Sequence, residues 1–147
     1  MKTLSDLYRE VKAFADNHPL VNEFVLVGSE EELEGREFDF RSLVLLPSRS
    51  NISRDDNRPV YELTFSIILF DRVERNSDLG NIMSSEENIF IVGQLQDYLL
   101  QELGDSDVEF NDIDIINAAG SDYNVTSAVC EFTVLLPRSP YIKTIAQ

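Results

Sequence analysis

Catalysis in a chain of 147 residues needs a nucleophile with a base, or a cluster of metal ligands, and this sequence offers one histidine and one cysteine. A Ser-His-Asp or Cys-His arrangement would have to pass through His18. That residue sits between Asn17 and Pro19 at the end of a predicted helix, where an imidazole complements unsatisfied carbonyls. Cys130, mid-strand between Val129 and Glu131, reads as a small core hydrophobe. A single thiol makes no internal disulfide, metal knuckle or redox pair, which suits a reducing compartment. Among the carboxylates, Asp105, Asp107 and Glu109 alternate, but an EF-hand loop needs glycine at its sixth position and glutamate at its twelfth. Those positions hold Phe110 and Ile116. Asp112 and Asp114 would project from one strand face like the metal-binding pair of a nuclease, but no nearby base would hold a phosphate. A metal-dependent hydrolase built on them is the minor reading, and a charged strand edge that discourages stray pairing is the simpler one. The six glycines form neither a G-x-G-x-x-G nor a P-loop spacing, so no nucleotide and no cofactor is expected. Phe24, Phe65, Phe70, Phe90 and Phe132 lie inside apolar elements and read as core, not as base-stacking platforms. The expectation is a protein that is not an enzyme.

Charge narrows the partners. Twelve Lys and Arg stand against 27 Asp and Glu, a net −15. Affinity for nucleic acid comes from cations that displace counterions from phosphate, and here acids outnumber them more than twofold. An anionic membrane surface is disfavoured for the same reason, and no stretch approaches about 18 uninterrupted apolar residues. The start, Met1 to Asp6, leads into an acidic amphipathic stretch in place of the basic residue and apolar run of a signal peptide, so synthesis in the cytosol is expected. With 43% hydrophobic residues the chain carries enough for a packed core.

The elements that would position these residues follow from periodicity. Leu4, Leu7, Tyr8, Val11, Phe14 and Ala15 recur at helical spacing and predict a helix over 5–17, stopped at Asn17-His18-Pro19. Phe24 to Val27 predicts a short strand, and the acidic run from Ser29 to Glu37 a connection. Phe38 to Leu46 predicts a second strand closed by Pro47, with a polar loop or arm at 47–58. Val60 to Val73 is the strongest strand, alternating at first and fully apolar later. Ser84 with Glu87 reads as the capping box of a second helix reaching Leu103 along Ile89, Val92, Leu95 and Leu99. Strand character resumes over 105–116, with a change of parity that predicts a bulge near Asn111-Asp112. Tyr123 to Leu136 is the last strand, ended by Pro137, and 138–147 reads as an extended C-terminal arm. The order α-β-β-β-α-β-β predicts one α+β domain over 1–137, a mainly antiparallel sheet of about five strands with two helices on one face.

The stretch Phe65-Ser66-Ile67-Ile68-Leu69-Phe70-Asp71-Arg72-Val73, a polar connection, Ile82-Met83-Ser84-Ser85 and a long helix through Ile89 and Leu99 resembles the neck and tail-completion proteins of tailed bacteriophages. The nearest pattern is that of crAss-like phages of Bacteroidetes. The segment from Asp112 through Ala119-Gly120 into the final strand resembles the same group. The resemblance covers the second half of the chain and rests on fold-forming positions, so no binding residue carries over. It implies a tail-terminator-like α+β fold and a virion structural role: a homo-oligomeric ring, a hexamer or twelvefold, in the head-to-tail connector. Other neck, portal or tail proteins would be its partners, with the protein made in the host bacterial cytoplasm and found in the virion.

In such a ring, the bases of 47–58, Arg49, Arg54 and Arg58, would reach an acidic neighbour. The arm carrying Arg138, Tyr141 and Ile142 would lie across the next subunit. A channel lined by acids such as Glu30, Glu31, Glu32 and Glu34, or Asp105, Asp107 and Asp122, would let genomic DNA pass without specific binding. The alternative is a small soluble adaptor or assembly-chaperone-like binding module.

Overall fold

The computed structural model describes residues 4–28, 31–32, 37–55, 58–74, 77–103, 108–119 and 123–137. Its elements are α1 (Leu4–Asn17), β1 (Glu23–Leu26), β2 (Ser42–Asp55), β3 (Arg58–Glu74), α2 (Asp78–Leu103), β4 (Val108–Ala119) and β5 (Tyr123–Pro137). This is the α+β order expected, folded as one domain. The strands form a single sheet in the order β1-β2-β3-β5-β4. Only β1 and β2 run parallel, so the sheet is mixed and mainly antiparallel.

Alternation along β3 divides the sheet into two faces. Leu63, Phe65, Ile67 and Leu69 point toward the helices and join Leu43 and Leu45 of β2 with Ala128, Cys130, Phe132 and Val134 of β5. Leu7, Val11 and Ala15 of α1, four residues apart, and Ile91, Val92, Leu95 and Leu99 of α2 close that core. Phe65 and Phe132 stack across the strand pair with centroids 5.5 Å apart. The opposite face carries a smaller cluster of Val25, Val27, Val44 and Leu46, against which Phe38, Ile68 and Phe70 pack. Truncating a fully buried side chain such as Leu95 or Phe65 to Ala would cost about 2–5 kcal/mol.

Two boundaries and one burial differ from expectation. First, residues 38–41 precede the strand, and β2 continues through Pro47 to Asp55, so the supposed loop at 47–58 is an antiparallel hairpin in which Ser50 faces Leu63 and Asp55 faces Arg58. Pro47 is tolerated because β1 ends opposite Leu45, leaving β2 an edge strand from there on, and a register shift between Pro47 and Arg49 absorbs the irregularity. Second, α2 begins at Asp78 and not at Ser84. Ser77 Oγ accepts the Gly80 N–H at 3.1 Å, and the first helical hydrogen bond runs from Asn81 N to Ser77 O, so Ser77 is the cap. Third, Phe90 is 66% exposed, whereas Phe65 and Phe132 are buried and Phe24 and Phe70 partly so. The predicted bulge is present: β4 shifts register against β5 between Phe110 and Ile113.

Candidate functional site

Two features of the helix layer stand out: a buried polar clasp beneath α2, and an apolar groove beside it. The clasp is assembled from four places in the chain. Arg41, before β2, is buried and donates through Nη2 to Asp71 Oδ2 near the end of β3 at 2.9 Å, and to Glu87 Oε2 of α2 at 2.7 Å. Ser84 Oγ donates to the same Asp71 oxygen at 2.7 Å and also pairs with Thr126 Oγ1 of β5. Asn88 Nδ2 donates to the Thr126 hydroxyl at 3.2 Å and to its carbonyl at 3.3 Å. A hydroxyl has one proton to give. Because Ser84 gives its proton to the carboxylate, Thr126 must give its own to Ser84, and the amide of Asn88 feeds Thr126. The chain of donors therefore runs in one direction, Asn88 to Thr126 to Ser84, and ends on an aspartate that Arg41 neutralises.

This arrangement orients; it does not activate. Ser84 faces a carboxylate already held by a guanidinium, and the histidine that could serve as a base is engaged elsewhere. Among the described residues, no group of three or more His, Cys, Asp or Glu is placed to hold a metal ion. The clasp fastens the N-terminal half of α2 to β3 and β5. It also explains why Ser84 and Glu87, spaced like a capping box, cap nothing: their polar groups are spent on Asp71, Thr126 and Arg41.

His18 lies at the end of α1, as expected, but works differently from expectation. Its Nδ1 accepts the Leu20 N–H at 3.2 Å, leaving Nε2 to donate to Gln94 Oε1 at 2.7 Å. It thus bridges to α2, while the helix-end carbonyls of Ala13 and Ala15 are satisfied by Asn17 Nδ2 and by the backbone N–H of His18. Further along, Tyr98 Oη donates to Glu10 at 2.6 Å, which pushes the phenol up to about 12, with burial adding to the shift. Above these links, Phe14, His18, Leu20, Phe90, Gln94 and Tyr98 line a shallow groove of about 530 Å³ between the end of α1 and α2. Leu79, Ile82 and Met83 extend the exposed apolar surface of α2 toward its N-terminus.

Of the expected interface residues, Arg49 and Arg54 lie on β2 and Arg58 opens β3, and the hairpin register brings all three to one end of the sheet. Arg138, Tyr141 and Ile142 lie outside the described residues. Asp112 and Asp114 sit exposed on β4, a sheet edge, as a charged strand edge would. Of the acids considered for a channel, Glu31 and Glu32 are exposed, and Glu32 accepts the Gly28 N–H at 3.1 Å; the others lie outside the described residues. Cys130 is buried among core side chains, and desolvation pushes its thiol up. Sequence reasoning missed the groove because Ile89-Phe90-Ile91-Val92 is apolar all round the helix and does not say which residue faces out.

A comparison with protein-family models finds no match to this chain, and a comparison with curated proteins finds none either.

Proposed function

We propose that this protein is a virion structural protein, a ring-forming subunit of a phage head-to-tail connector that acts through its interfaces. The observation that carries the reading is a pair of unlike surfaces on one small domain. At one end of the sheet the β2–β3 hairpin register places Arg49, Arg54 and Arg58, with Asp55 opposite Arg58. On the helix layer, α2 carries Asp78, Glu86, Glu87, Asp97 and Glu102 without one Lys or Arg, beside exposed Leu79, Ile82, Met83 and Phe90. Surfaces that differ in composition and place suit a head-to-tail contact between copies, and such a contact closes into a ring when its rotation permits. The resemblance to neck and tail-completion proteins points the same way. In that setting the net −15 keeps a DNA duplex from sticking as it passes.

The test is composition and assembly. Mass spectrometry of purified virions should find the protein, and native mass spectrometry of the isolated chain, alone or with its partner ring, should show a closed cyclic oligomer. Its absence from virions would overturn the reading. The groove at Phe90 also suits a peptide-binding adaptor, and that second reading predicts a small oligomer captured with a soluble partner in place of a ring.

A further inference from the structure

Among the described residues none fills the groove between α1 and α2, and the sequence contains a segment whose chemistry matches it. Phe90, 66% exposed, stands at its rim. Glu86 lies one turn before Phe90 and Asp97 two turns after it, at helical spacing, so acids bracket the apolar patch along one stripe of α2. Both are exposed. On the same stripe, Gly93 interrupts the helix interior at a cost of about 1 kcal/mol relative to alanine. A Cβ there would meet nothing within 4 Å, so nothing packed in the subunit requires a glycine. The helix keeps open space beside Phe90.

Ten residues follow Pro137 in the sequence: Arg138-Ser139-Pro140-Tyr141-Ile142-Lys143-Thr144-Ile145-Ala146-Gln147. They include two bases and no acid. In extended chain, Arg138 and Lys143 are about 16 Å apart, five residues at roughly 3.3 Å each. Glu86 and Asp97, eleven residues apart on a helix rising 1.5 Å per residue, are separated by about the same 16 Å. The two bases therefore match the two acids in spacing, with Tyr141 and Ile142 between them at the level of Phe90 and the Gly93 notch.

The segment must come from another copy. Gln96 Nε2 donates to Cys130 Sγ at 3.2 Å, which fixes that level of α2 over Cys130, seven residues up β5 from Pro137. Seven strand residues span about 23 Å, whereas Tyr141, four residues past Pro137, reaches about 13 Å at most. Phe90 and Gln94 lie farther still, toward the end of α2 that contacts Thr126.

We propose that the exposed stripe of α2 along the edge of this groove holds the Arg138–Gln147 segment of a second copy, with Tyr141 and Ile142 against Phe90 and Gly93 and with Arg138 and Lys143 opposite the two bracketing acids. This names the contact that joins neighbours and rests on the homo-oligomeric part of the reading above. The experiment uses full-length chains. One preparation carries Gly93→Cys, another of different tagged mass carries Tyr141→Cys, and the two are mixed and mildly oxidised. The expected result is a disulfide-linked heterodimer. An oligomer that persists with no such cross-link overturns the inference and leaves the ring reading standing; a chain that forms no oligomer, free or in virions, overturns the ring reading itself. A double variant carrying both cysteines that links only within one chain also overturns the inference. A charge exchange adds a readout that misfolding cannot imitate: Lys143→Glu should weaken self-association about tenfold, and Asp97→Lys in the same chain should restore it. Loss without restoration in every such pairing, including Arg138→Glu with Glu86→Lys, refutes the proposed register.

Discussion

Replacing Arg41 by Met tests whether the clasp beneath α2 holds the fold as its geometry implies. The Arg41 side chain is 6% exposed, its partner Asp71 22% and its other partner Glu87 51%. Met keeps the aliphatic volume but removes the guanidinium that pairs with Asp71 Oδ2, leaving Ser84 as the carboxylate's partner among the described residues. Breaking a buried pair from one side costs about 3–5 kcal/mol, and the partial exposure of Asp71 places the expected loss near the lower end, about 3 kcal/mol. For a chain of 147 residues that corresponds to a drop of about 10 °C in Tm. Glu87→Gln, acting on the half-exposed arm of the same guanidinium, should cost no more than about 1 kcal/mol. Adding Asp71→Asn to Arg41→Met should recover part of the loss, because an amide still accepts from Ser84 and no charge is stranded. Urea unfolding reads these proteins and Asp71→Asn alone, with the midpoint moving and the slope unchanged. If Arg41→Met costs less than Glu87→Gln, or if the double variant is worse by the full sum of its parts, the clasp does not hold α2 as argued.

Gly93→Ala should raise the stability of the dissociated chain by about 1 kcal/mol, or roughly 3 °C in Tm, because the added methyl meets nothing; a destabilised variant would mean the site is crowded. Tyr98, raised from 10.0 to about 12 by its hydrogen bond to Glu10, is favoured in its neutral form in the folded state, so its contribution is complete below pH 10 and fades as pH rises toward 12. Tyrosinate absorbance should show this residue titrating late, along with Tyr8, which burial also shifts upward, and Tyr98→Phe should remove the late component. The thiol of Cys130, buried and pushed up by desolvation, should resist thiol reagents at neutral pH until denaturant is added, and prompt labelling of the native protein would contradict its placement. The proposed self-association would join bases to acids and should therefore weaken as salt is raised, whereas a purely apolar contact would hold or strengthen.

Much of the fold was legible because it depends on period and punctuation. The four-residue spacing of Leu7, Val11 and Ala15 defined α1, and alternation from Leu63 to Leu69 defined the central strand. The parity change near Asn111 announced a real bulge. What misled was local chemistry whose partners lie far away in sequence. Ser84 and Glu87 have the spacing of a cap, but Asp71, Thr126 and Arg41 claim them, and nothing within one helical turn reveals that. Pro47 usually ends a strand, but it sits where β1 has already ended, so β2 has no neighbour on that side to lose. Phe90 looked like core because hydrophobicity counts side chains without saying which way a helix is turned. The clasp itself could not be read, since its members come from four segments and none is unusual alone.

The distribution of charge matters more than its sum. A two-fold contact between the exposed faces of α2 would bury Phe90 and Met83, but it would set Glu86 and Asp97 of one copy against the same acids of the other, with no base on the helix to intervene. Apolar area alone would favour that dimer; the acids oppose it. Arg49 and Arg54 of β2 and Arg58 of β3 lie on the hairpin at the end of the sheet where Pro137 of β5 pairs with Val60, and from there the sequence continues into Arg138 and Lys143. The contact proposed above would instead bring the Arg138–Gln147 segment of one copy to the helix layer of the next, setting bases and apolar side chains against the stripe and its acids. Such a contact would use a different surface on each partner and leave each copy with one of each still open, so it would propagate, and a net charge of −15 would be compatible with it because bases of one copy would meet acids of the next.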